Sequence, residues 1–244
     1  MFTVEEREKV RGRVLEVADG DERIVAGAVV GSAAAGRVDR WSDIDLTFAV
    51  REGVAVAEVL EDWTAVMRRE FDAEFLLDLA VATSIYRVFL LPGALQVDLS
   101  FTPAADFGPR GPEFRLLFGD AARHPSPVVA PDPGHLFGLA VLKLLHARTC
   151  IRRQRNWQAE YWISGARDDA LTIACLARNL PTREGRGYDR LPAGILERFQ
   201  PAIVRSLDHD ELLRALGAAV DALLAESNDE RTNRLTPLLR SLGA

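Results

Sequence analysis

The chain has 244 residues, of which 48% are hydrophobic and 27% are charged, and its formal net charge is −6. This length allows a sizeable core and is close to that at which a second domain forms. The negative balance argues against nucleic acid as the main partner and favours a small or cationic substrate. No apolar run approaches the roughly 20 residues that a membrane span needs. Residues 1–13 are charged and lack the apolar core of a signal peptide, so we expect a cytoplasmic protein without membrane partners.

The N-terminal half alternates between helical and strand-like patterns. Apolar residues recur at helical spacing in two segments, residues 4–18 and 54–71. Short apolar or alternating runs predict five strands, at residues 24–30, 43–50, 74–81, 84–91 and 94–101. Pro92-Gly93 is a turn signal between the last two runs, which indicates an antiparallel hairpin.

The C-terminal half is helical by length and period. Prolines recur across residues 109–134, where we expect an interdomain connection that retains at most some local structure. Four helices are predicted after it, at residues 135–154, 158–180, 191–204 and 209–227. The sequence therefore predicts an α+β protein with a mixed sheet domain at residues 1–108 and an α-helical bundle domain at residues 135–244.

Three carboxylates are expected to share one face of the sheet. In residues 43–50 the apolar side chains alternate with Asp43 and Asp45, so both aspartates leave the same face of their strand. Asp98 likewise alternates with apolar neighbours, and it joins the pair if its strand lies beside the first. Carboxylates this close raise one another's pKa unless they bind a cation. Hard oxygen ligands favour Mg²⁺ or Mn²⁺, and Mg²⁺ in particular shares its coordination with phosphate oxygens.

A glycine and a serine follow the first strand. Gly31 allows the backbone to approach a ligand closely, and the Ser32 hydroxyl and nearby amides can donate to a phosphate, especially if a helix begins here. A phosphate-binding turn beside a metal-binding triad predicts that Mg²⁺ between the aspartates carries a nucleoside triphosphate.

The order of these features resembles the polymerase-β-like nucleotidyltransferase superfamily. Its hallmark is an apolar strand, Gly-Ser, about ten residues, Asp-x-Asp, and a third carboxylate on a later strand, here Gly31-Ser32, Asp43-Ile-Asp45 and Asp98. The resemblance covers roughly the first 105 residues. It implies that the three aspartates hold Mg²⁺ and are catalytic. Many relatives carry a basic residue shortly after the serine, where this chain has alanines, so Arg37 or a residue of the helical domain would have to contact the phosphates.

The helical half is similar to bacterial nucleotidyltransferases that modify aminoglycoside and lincosamide antibiotics, in the segments WQAEYWISGARDDAL and GRGYDRLP and in Lys143 with the arginines that follow it. Those enzymes bind the substrate between their two domains. Glu160 is the candidate general base, with a solvated residue or an ion pair as the alternative. Lys143 lies in an otherwise apolar helix, and it either contacts the triphosphate or extends to the surface.

Other residues of the helical half leave two interpretations open. The aromatic group Trp157, Tyr161 and Trp162 forms either a wall for a substrate ring or, as we expect, packing between helices. Asp168 and Asp169 are expected to pair with Arg167 or to be exposed.

Taken together, the resemblance implies a transferase that uses Mg²⁺ and ATP, or another nucleoside triphosphate. It would move a nucleoside monophosphate to a hydroxyl of a small molecule, with an aminoglycoside or lincosamide antibiotic as the first candidate, and release pyrophosphate. Antibiotic resistance would follow. Two alternatives remain: a protein AMP-transferase of the toxin–antitoxin type, and a nucleotide-binding module of the same fold without catalysis.

Overall fold

The computed structural model describes residues 1–111, 113–122 and 130–243. The chain divides into two compact units, Met1–Val128, here called the sheet unit, and Val129–Ala244, here called the helical unit. Within these described residues the sheet unit is a mixed six-stranded sheet with helices, and the helical unit consists of α-helices, short 3₁₀ helices and connecting loops, which confirms the predicted fold class. No helix within the described ranges is both long enough and apolar enough to span a bilayer.

In the part of the sheet unit that the structure describes there are three α-helices and six strands. In chain order they are α1 (Val4–Gly20), β1 (Ile24–Val30), α2 (Gly31–Ala34), β2 (Ile44–Val50), α3 (Val56–Phe71), β3 (Glu74–Val81), β4 (Ser84–Leu91), β5 (Leu95–Pro103) and β6 (Phe114–Phe118). The strand order is β3-β4-β5-β2-β1-β6. β2 and β5 are parallel, while the other neighbouring pairs are antiparallel. All five predicted strands are present, and β4 and β5 form the predicted hairpin.

β6 lies inside the range that was predicted as a proline-rich connection. It pairs with β1, so the sheet continues beyond residue 108. Its five residues, FRLLF, contain no proline, and they can therefore donate every backbone hydrogen bond that the pairing needs. Residues 112 and 123–129 of the same range lie outside the described residues. The predicted domain limits stay a prediction.

The apolar face of the sheet packs against helices. Phe48 of β2, Phe101 of β5 and Trp63 of α3 form an aromatic cluster with ring centroids 5.2–5.6 Å apart. Trp63 also donates a 3.0 Å hydrogen bond from its indole to Asp21, which satisfies the polar atom of a buried ring. This packing fixes which side chains of β2 and β5 face the core, and it leaves the alternate residues, including Asp45 and Asp98, to the other face.

Residues 130–243 of the helical unit, those that the structure describes, form five α-helices, and their core is rich in alanine. They are α4 (Pro133–Arg152), α5 (Asn156–Leu176), α6 (Ala193–Phe199), α7 (His209–Glu226) and α8 (Thr232–Arg240). α4 begins with Asp132 as N-cap, whose carboxylate accepts from the His135 amide at 2.7 Å, and with Pro133 in the first turn. Small residues such as Ala140, Ala166 and Ala219 are buried in one continuous core of this unit. α8 was not predicted.

Candidate active site

Three aspartates meet at one end of the central strand pair. In the parallel register of β2 and β5, Asp45 lies directly opposite Asp98. Asp43 is two residues earlier in the chain than Asp45, so its side chain leaves the same face. One oxygen from each carboxylate lies within 4.8 Å of the other two. The structure therefore brings together the triad that the sequence predicted.

The electrostatics of the triad are those of crowded acidic groups. Burial is the largest influence on Asp98 and raises its pKa, and the negative charge of Asp43 raises the pKa further. The side-chain amide of Gln96 opposes both effects, because it donates to the two carboxylate oxygens of Asp98 at 3.0 and 3.1 Å. The net direction is upward, so the ionised form of Asp98 is disfavoured by its surroundings. A divalent cation would reverse this, because it stabilises the carboxylate form of every ligand.

The donor set fits Mg²⁺ or Mn²⁺. All three groups are half-buried carboxylates, and hard oxygen ligands in this number are typical of these ions when the remaining positions are filled by water or phosphate. Asp43, Asp45 and Asp98 are the residues that would hold the ion.

Gly31 packs its backbone against the triad. Its φ is +63°, and a Cβ atom built on it would lie 2.5 Å from the Asp45 Oδ2 atom. The position therefore requires glycine both for its left-handed backbone and for the close approach. Ser32 follows in the four-residue helix α2 directly after β1, so the helix that the sequence analysis treated as a condition is present. Gly31 and Ser32 thus lie beside the carboxylates.

Arg37 has an acidic partner. It follows α2, where its amide donates to the Ser32 carbonyl oxygen at 2.9 Å, and its guanidinium pairs with Glu113. The guanidinium is largely exposed. A contact between Arg37 and a phosphate would have to compete with this ion pair.

Arg7 is a residue of the site region that sequence reasoning missed. It lies on α1 and is only 3% exposed, yet its guanidinium donates to the carbonyl oxygens of Asp39 and Ser42, the latter at 3.3 Å. The Asp39 carboxylate in turn accepts from the Trp41 amide at 2.8 Å. Arg7 thereby holds the turn that leads directly into Asp43. An arginine buried on an otherwise exposed stretch of helix has no local sequence signature.

Lys143 and Glu160 lie in the helical unit, and both have hydrogen-bond partners there. Lys143 Nζ donates to Asp169 Oδ2 at 2.6 Å and to the Gly165 carbonyl oxygen at 3.3 Å, so α4 is joined to α5. The expectation that Asp169 pairs with Arg167 or is exposed is therefore wrong, because the Lys143 ammonium holds it.

Half-buried Glu160 on α5 accepts a 2.7 Å hydrogen bond from the Ser164 hydroxyl. The roles predicted for Lys143 and Glu160 stay predictions.

The aromatic residues of α5 divide into two groups. Trp157 is 78% exposed and Tyr161 is 65% exposed, so the expectation that they pack between helices is wrong. Trp162 packs against the core of the helical unit, and its ring centroid lies 4.9 Å from that of His146. Arg167 pairs with Asp168, as the sequence predicted.

Comparisons with known proteins identify no family. No protein-family model matches the chain. No curated protein matches it in sequence either. Among solved structures, the chain is similar to an aminoglycoside 6-adenyltransferase from Bacillus subtilis, with 11% identity over 99% of both chains and a TM-score of 0.40. A similarity of this degree does not indicate the reaction or the substrate.

Proposed function

We propose that the protein is a Mg²⁺-dependent nucleotidyltransferase. It moves a nucleoside monophosphate, in the first instance AMP from ATP, to a hydroxyl of a small molecule and releases pyrophosphate. The observation that carries the proposal is the meeting of Asp43, Asp45 and Asp98 within 4.8 Å of one another at the end of two parallel strands, beside a glycine turn. Three fixed carboxylates this close repel one another and destabilise the folded protein unless a cation is bound. Their arrangement is explained if the site works with a bound cation.

The three aspartates would hold the ion and fix its position relative to the sheet. When bound, Mg²⁺ neutralises charge on the triphosphate and lowers the pKa of the acceptor hydroxyl. Gly31 and Ser32 would bind the phosphates, because backbone amides at this turn and the Ser32 hydroxyl can donate hydrogen bonds to them. Arg37 and Lys143 would add cationic contacts to the phosphates, each in competition with its acidic partner.

The transfer is an in-line displacement at the α-phosphorus. The acceptor oxygen forms a bond to the α-phosphorus while the bond to the bridging oxygen breaks, and pyrophosphate leaves with that electron pair. Glu160 takes the proton of the acceptor hydroxyl, and its hydrogen bond from Ser164 orients the carboxylate for this task. Positioning and charge stabilisation supply most of the acceleration in such reactions.

For the acceptor we propose a hydroxylated antibiotic, an aminoglycoside or a lincosamide, on the resemblance of the helical half of the sequence to enzymes that modify them. The physiological consequence would be antibiotic resistance. We place the reaction in the cytoplasm, where Mg²⁺ and ATP are both plentiful.

The test measures pyrophosphate release with Mg²⁺ and each of the four nucleoside triphosphates, across a panel of aminoglycosides and lincosamides. We expect release that depends on one acceptor class and disappears in the double variant Asp43→Ala/Asp45→Ala. If nucleotide binds in a metal-dependent manner but no antibiotic supports release, the acceptor assignment is wrong, and protein acceptors are tested next. If the wild-type protein shows no metal-dependent nucleotide binding, the proposed function itself is wrong.

A sharper variant is Asp98→Asn. The amide keeps the size of the side chain but removes the charge that would hold the ion beside the acceptor, so turnover should fall by about 10²–10³-fold, the loss seen when one charge-stabilising group is removed. Asp43 and Asp45 remain, and the dissociation constant of Mg²⁺-ATP measured by calorimetry should change much less. Turnover within tenfold of wild type would contradict the role of the third carboxylate.

A further inference from the structure

The loop that joins α2 to β2 has both of its ends at the candidate site. At its start the Arg37 amide donates to the Ser32 carbonyl oxygen at 2.9 Å, and at its end the chain enters Asp43, the first carboxylate of the triad. Arg40 lies three residues from each of these ends. Three residues of extended chain span at most about 11 Å, so the Arg40 Cα atom lies within that distance of the Cα atoms of Arg37 and Asp43. The long side chain of Arg40 is therefore within reach of a triphosphate bound at the triad and Ser32.

The centre of this loop is a tight turn with Arg40 and Trp41 at its corner. The Ser42 amide donates to the Asp39 carbonyl oxygen at 3.3 Å, and the Asp39 carboxylate accepts from the Trp41 amide at 2.8 Å and from the Ser42 hydroxyl at 3.1 Å. From α1, the Arg7 guanidinium donates to the carbonyl oxygens of Asp39 and Ser42. These contacts fix the backbone of the turn, although Arg40 and Trp41 are exposed. A fixed backbone lowers the conformational entropy that the turn loses when it binds a ligand.

The guanidinium of Arg40 lies over the indole ring of Trp41. Its Cζ atom is 4.0 Å from the ring centroid, which is a cation–π contact. A contact of this kind orients the guanidinium and leaves its N–H groups free to donate hydrogen bonds. Within the described residues it is the only contact of the Arg40 side chain, and no carboxylate neutralises the charge. The charge of Arg40 is therefore open to an anion.

The other cations proposed for the phosphates have acidic partners. Arg37 pairs with Glu113, and Lys143 pairs with Asp169 at 2.6 Å. The metal ion neutralises only part of the charge of a triphosphate, so a working site also needs cationic side chains whose charge is not already neutralised. Arg40 meets this requirement without the loss of an ion pair.

We propose that Arg40 is a phosphate-binding residue of the site and that Trp41 positions it. The Arg40 guanidinium donates to phosphate oxygens of the metal-bound triphosphate, while the indole of Trp41 and the turn at Asp39 hold it in place. This inference rests on the proposed function, since it adds a cationic contact to the nucleotide of that site. Arg40 touches the substrate, whereas Trp41 is a positioning residue that acts through Arg40.

The test measures dissociation constants of Mn²⁺ alone and of Mg²⁺-ATP by calorimetry on the full-length protein. Arg40→Gln should weaken Mg²⁺-ATP binding about five- to thirtyfold, because a charge-assisted contact is lost at a partly exposed position. Mn²⁺ alone should bind like wild type, since the three carboxylates are unchanged. Arg40→Lys keeps the charge and should recover part of the loss. Added KCl should weaken Mg²⁺-ATP binding less steeply in Arg40→Gln than in wild type, because one charge fewer is screened.

The matched control is Arg51→Gln. Arg51 is exposed directly after the other end of β2, and eight residues of strand place it roughly 25 Å from Asp43. This variant removes the same charge away from the site and should bind Mg²⁺-ATP like wild type. Urea denaturation of every variant checks that the fold is retained.

The role of Trp41 is measured with Trp41→Leu, alone and combined with Arg40→Gln. Trp41→Leu should weaken Mg²⁺-ATP binding severalfold when Arg40 is present, because the guanidinium loses its support. It should have no further effect when Arg40 is replaced, since a positioning residue has nothing left to position.

The outcomes separate this inference from the proposed function. If Arg40→Gln binds Mg²⁺-ATP like wild type, or loses no more affinity than Arg51→Gln, the assignment of Arg40 is overturned and the proposed function stands. An equal loss of Mn²⁺ affinity in Arg40→Gln would mean that the residue supports the triad instead of the phosphates, which also overturns it. If Trp41→Leu weakens binding just as much without Arg40, the positioning role of Trp41 is overturned. If wild type shows no metal-dependent nucleotide binding, the proposed function fails and this inference fails with it.

Discussion

Gly31 is the residue at which backbone conformation and site chemistry meet. Its φ of +63° and the 2.5 Å separation between a built Cβ and Asp45 Oδ2 leave no room for another residue without movement of the carboxylate. The glycine therefore has two functions, to turn the chain after β1 and to let the backbone lie against Asp45, one of the proposed metal ligands.

We expect Gly31→Ala to damage the site more than the fold. The left-handed backbone should cost about 1–3 kcal/mol of unfolding free energy, and the displaced Asp45 should weaken Mn²⁺ binding by tenfold or more. Urea denaturation and Mn²⁺ titration measure the two effects. Gly12→Ala is the control, since it lies in the exposed part of α1 and should stabilise the helix by about 0.5–1 kcal/mol without any effect on Mn²⁺. Unchanged Mn²⁺ affinity in Gly31→Ala would show that Asp45 does not depend on this contact.

Sequence patterns predicted the triad because the relevant information is local. Alternation along a strand determines which face Asp43, Asp45 and Asp98 leave, and the face opposite to the apolar core is the only one open to them. The exact register, Asp45 opposite Asp98, depends on β2 and β5 being neighbours. That neighbour relation was an assumption at the sequence level, because the two strands are separated by about fifty residues.

At the level of elements, the features that escaped prediction are those defined by distant partners. β6 is five residues long and is a strand only because β1 pairs with it, in a region whose prolines indicate irregular structure. In the sequence Arg7 is one of many charged residues on α1. Its role becomes visible only in the fold, where its guanidinium donates to the carbonyl oxygens of Asp39 and Ser42. Exposure of Trp157 was likewise missed, because aromatic residues at helical spacing usually mark a core.

α1 supports the site through Arg7. We expect Arg7→Met, which keeps the apolar stem but removes the donors, to lower the unfolding free energy by about 1–3 kcal/mol because two carbonyl oxygens lose their partner. It should also weaken Mn²⁺ binding severalfold, since the turn before Asp43 is released. Arg11→Met on the same helix is the control, because its ion pair with Glu8 is at the surface and should contribute less than about 1 kcal/mol. Reduced stability with full Mn²⁺ affinity would make Arg7 structural only.

An ion pair between Lys143 on α4 and Asp169 on α5 joins the two helices, and the burial of Asp169 carries a free-energy cost. Burial raises the pKa of Asp169 above its ordinary value, although the hydrogen bond and charge of Lys143 oppose the increase. A carboxyl with a raised folded-state pKa favours folding when it is protonated, at pH below its unfolded value. That contribution is lost as the pH rises through the folded value. At neutral pH the pair therefore does not fully repay the desolvation of Asp169.

We expect Lys143→Met/Asp169→Leu to match or exceed wild-type stability at pH 7. Asp169→Leu alone should lose about 1–3 kcal/mol, because the half-buried Lys143 ammonium then lacks a carboxylate partner and keeps only the Gly165 carbonyl oxygen. Urea denaturation of wild type, both single variants and the double variant gives the coupling. The same set tests the predicted triphosphate contact: Mg²⁺-ATP affinity should fall in both variants that lack Lys143. Equal affinity in all four proteins would make Lys143 a structural residue.

At the level of the whole molecule, the residues proposed for metal and phosphate binding are in the sheet unit, except for Lys143, and the proposed base Glu160 is in the helical unit. Each unit has a core of its own, with the aromatic cluster around Trp63 in one and the alanine-rich helix packing in the other. A chain of 128 residues is long enough to bury a stable core, so the sheet unit should fold when it is expressed alone. Expression of the sheet unit alone should therefore retain metal binding and lose turnover.

We expect a fragment of residues 1–128 to bind Mn²⁺ within about threefold of the full chain, because all three carboxylates, Gly31 and Arg7 are retained. It should not release pyrophosphate in the presence of acceptor, because it lacks Glu160, the proposed base, and loss of a general base typically costs about 10²–10⁴-fold in rate. Calorimetry and a pyrophosphate assay measure the two properties, and the same fragment with Asp43→Ala/Asp45→Ala controls for adventitious binding. A folded fragment that does not bind Mn²⁺ would mean that the triad is not a metal site by itself. A fragment that turns over at the full rate would remove Glu160 from the mechanism and leave deprotonation of the acceptor to the carboxylates of the sheet.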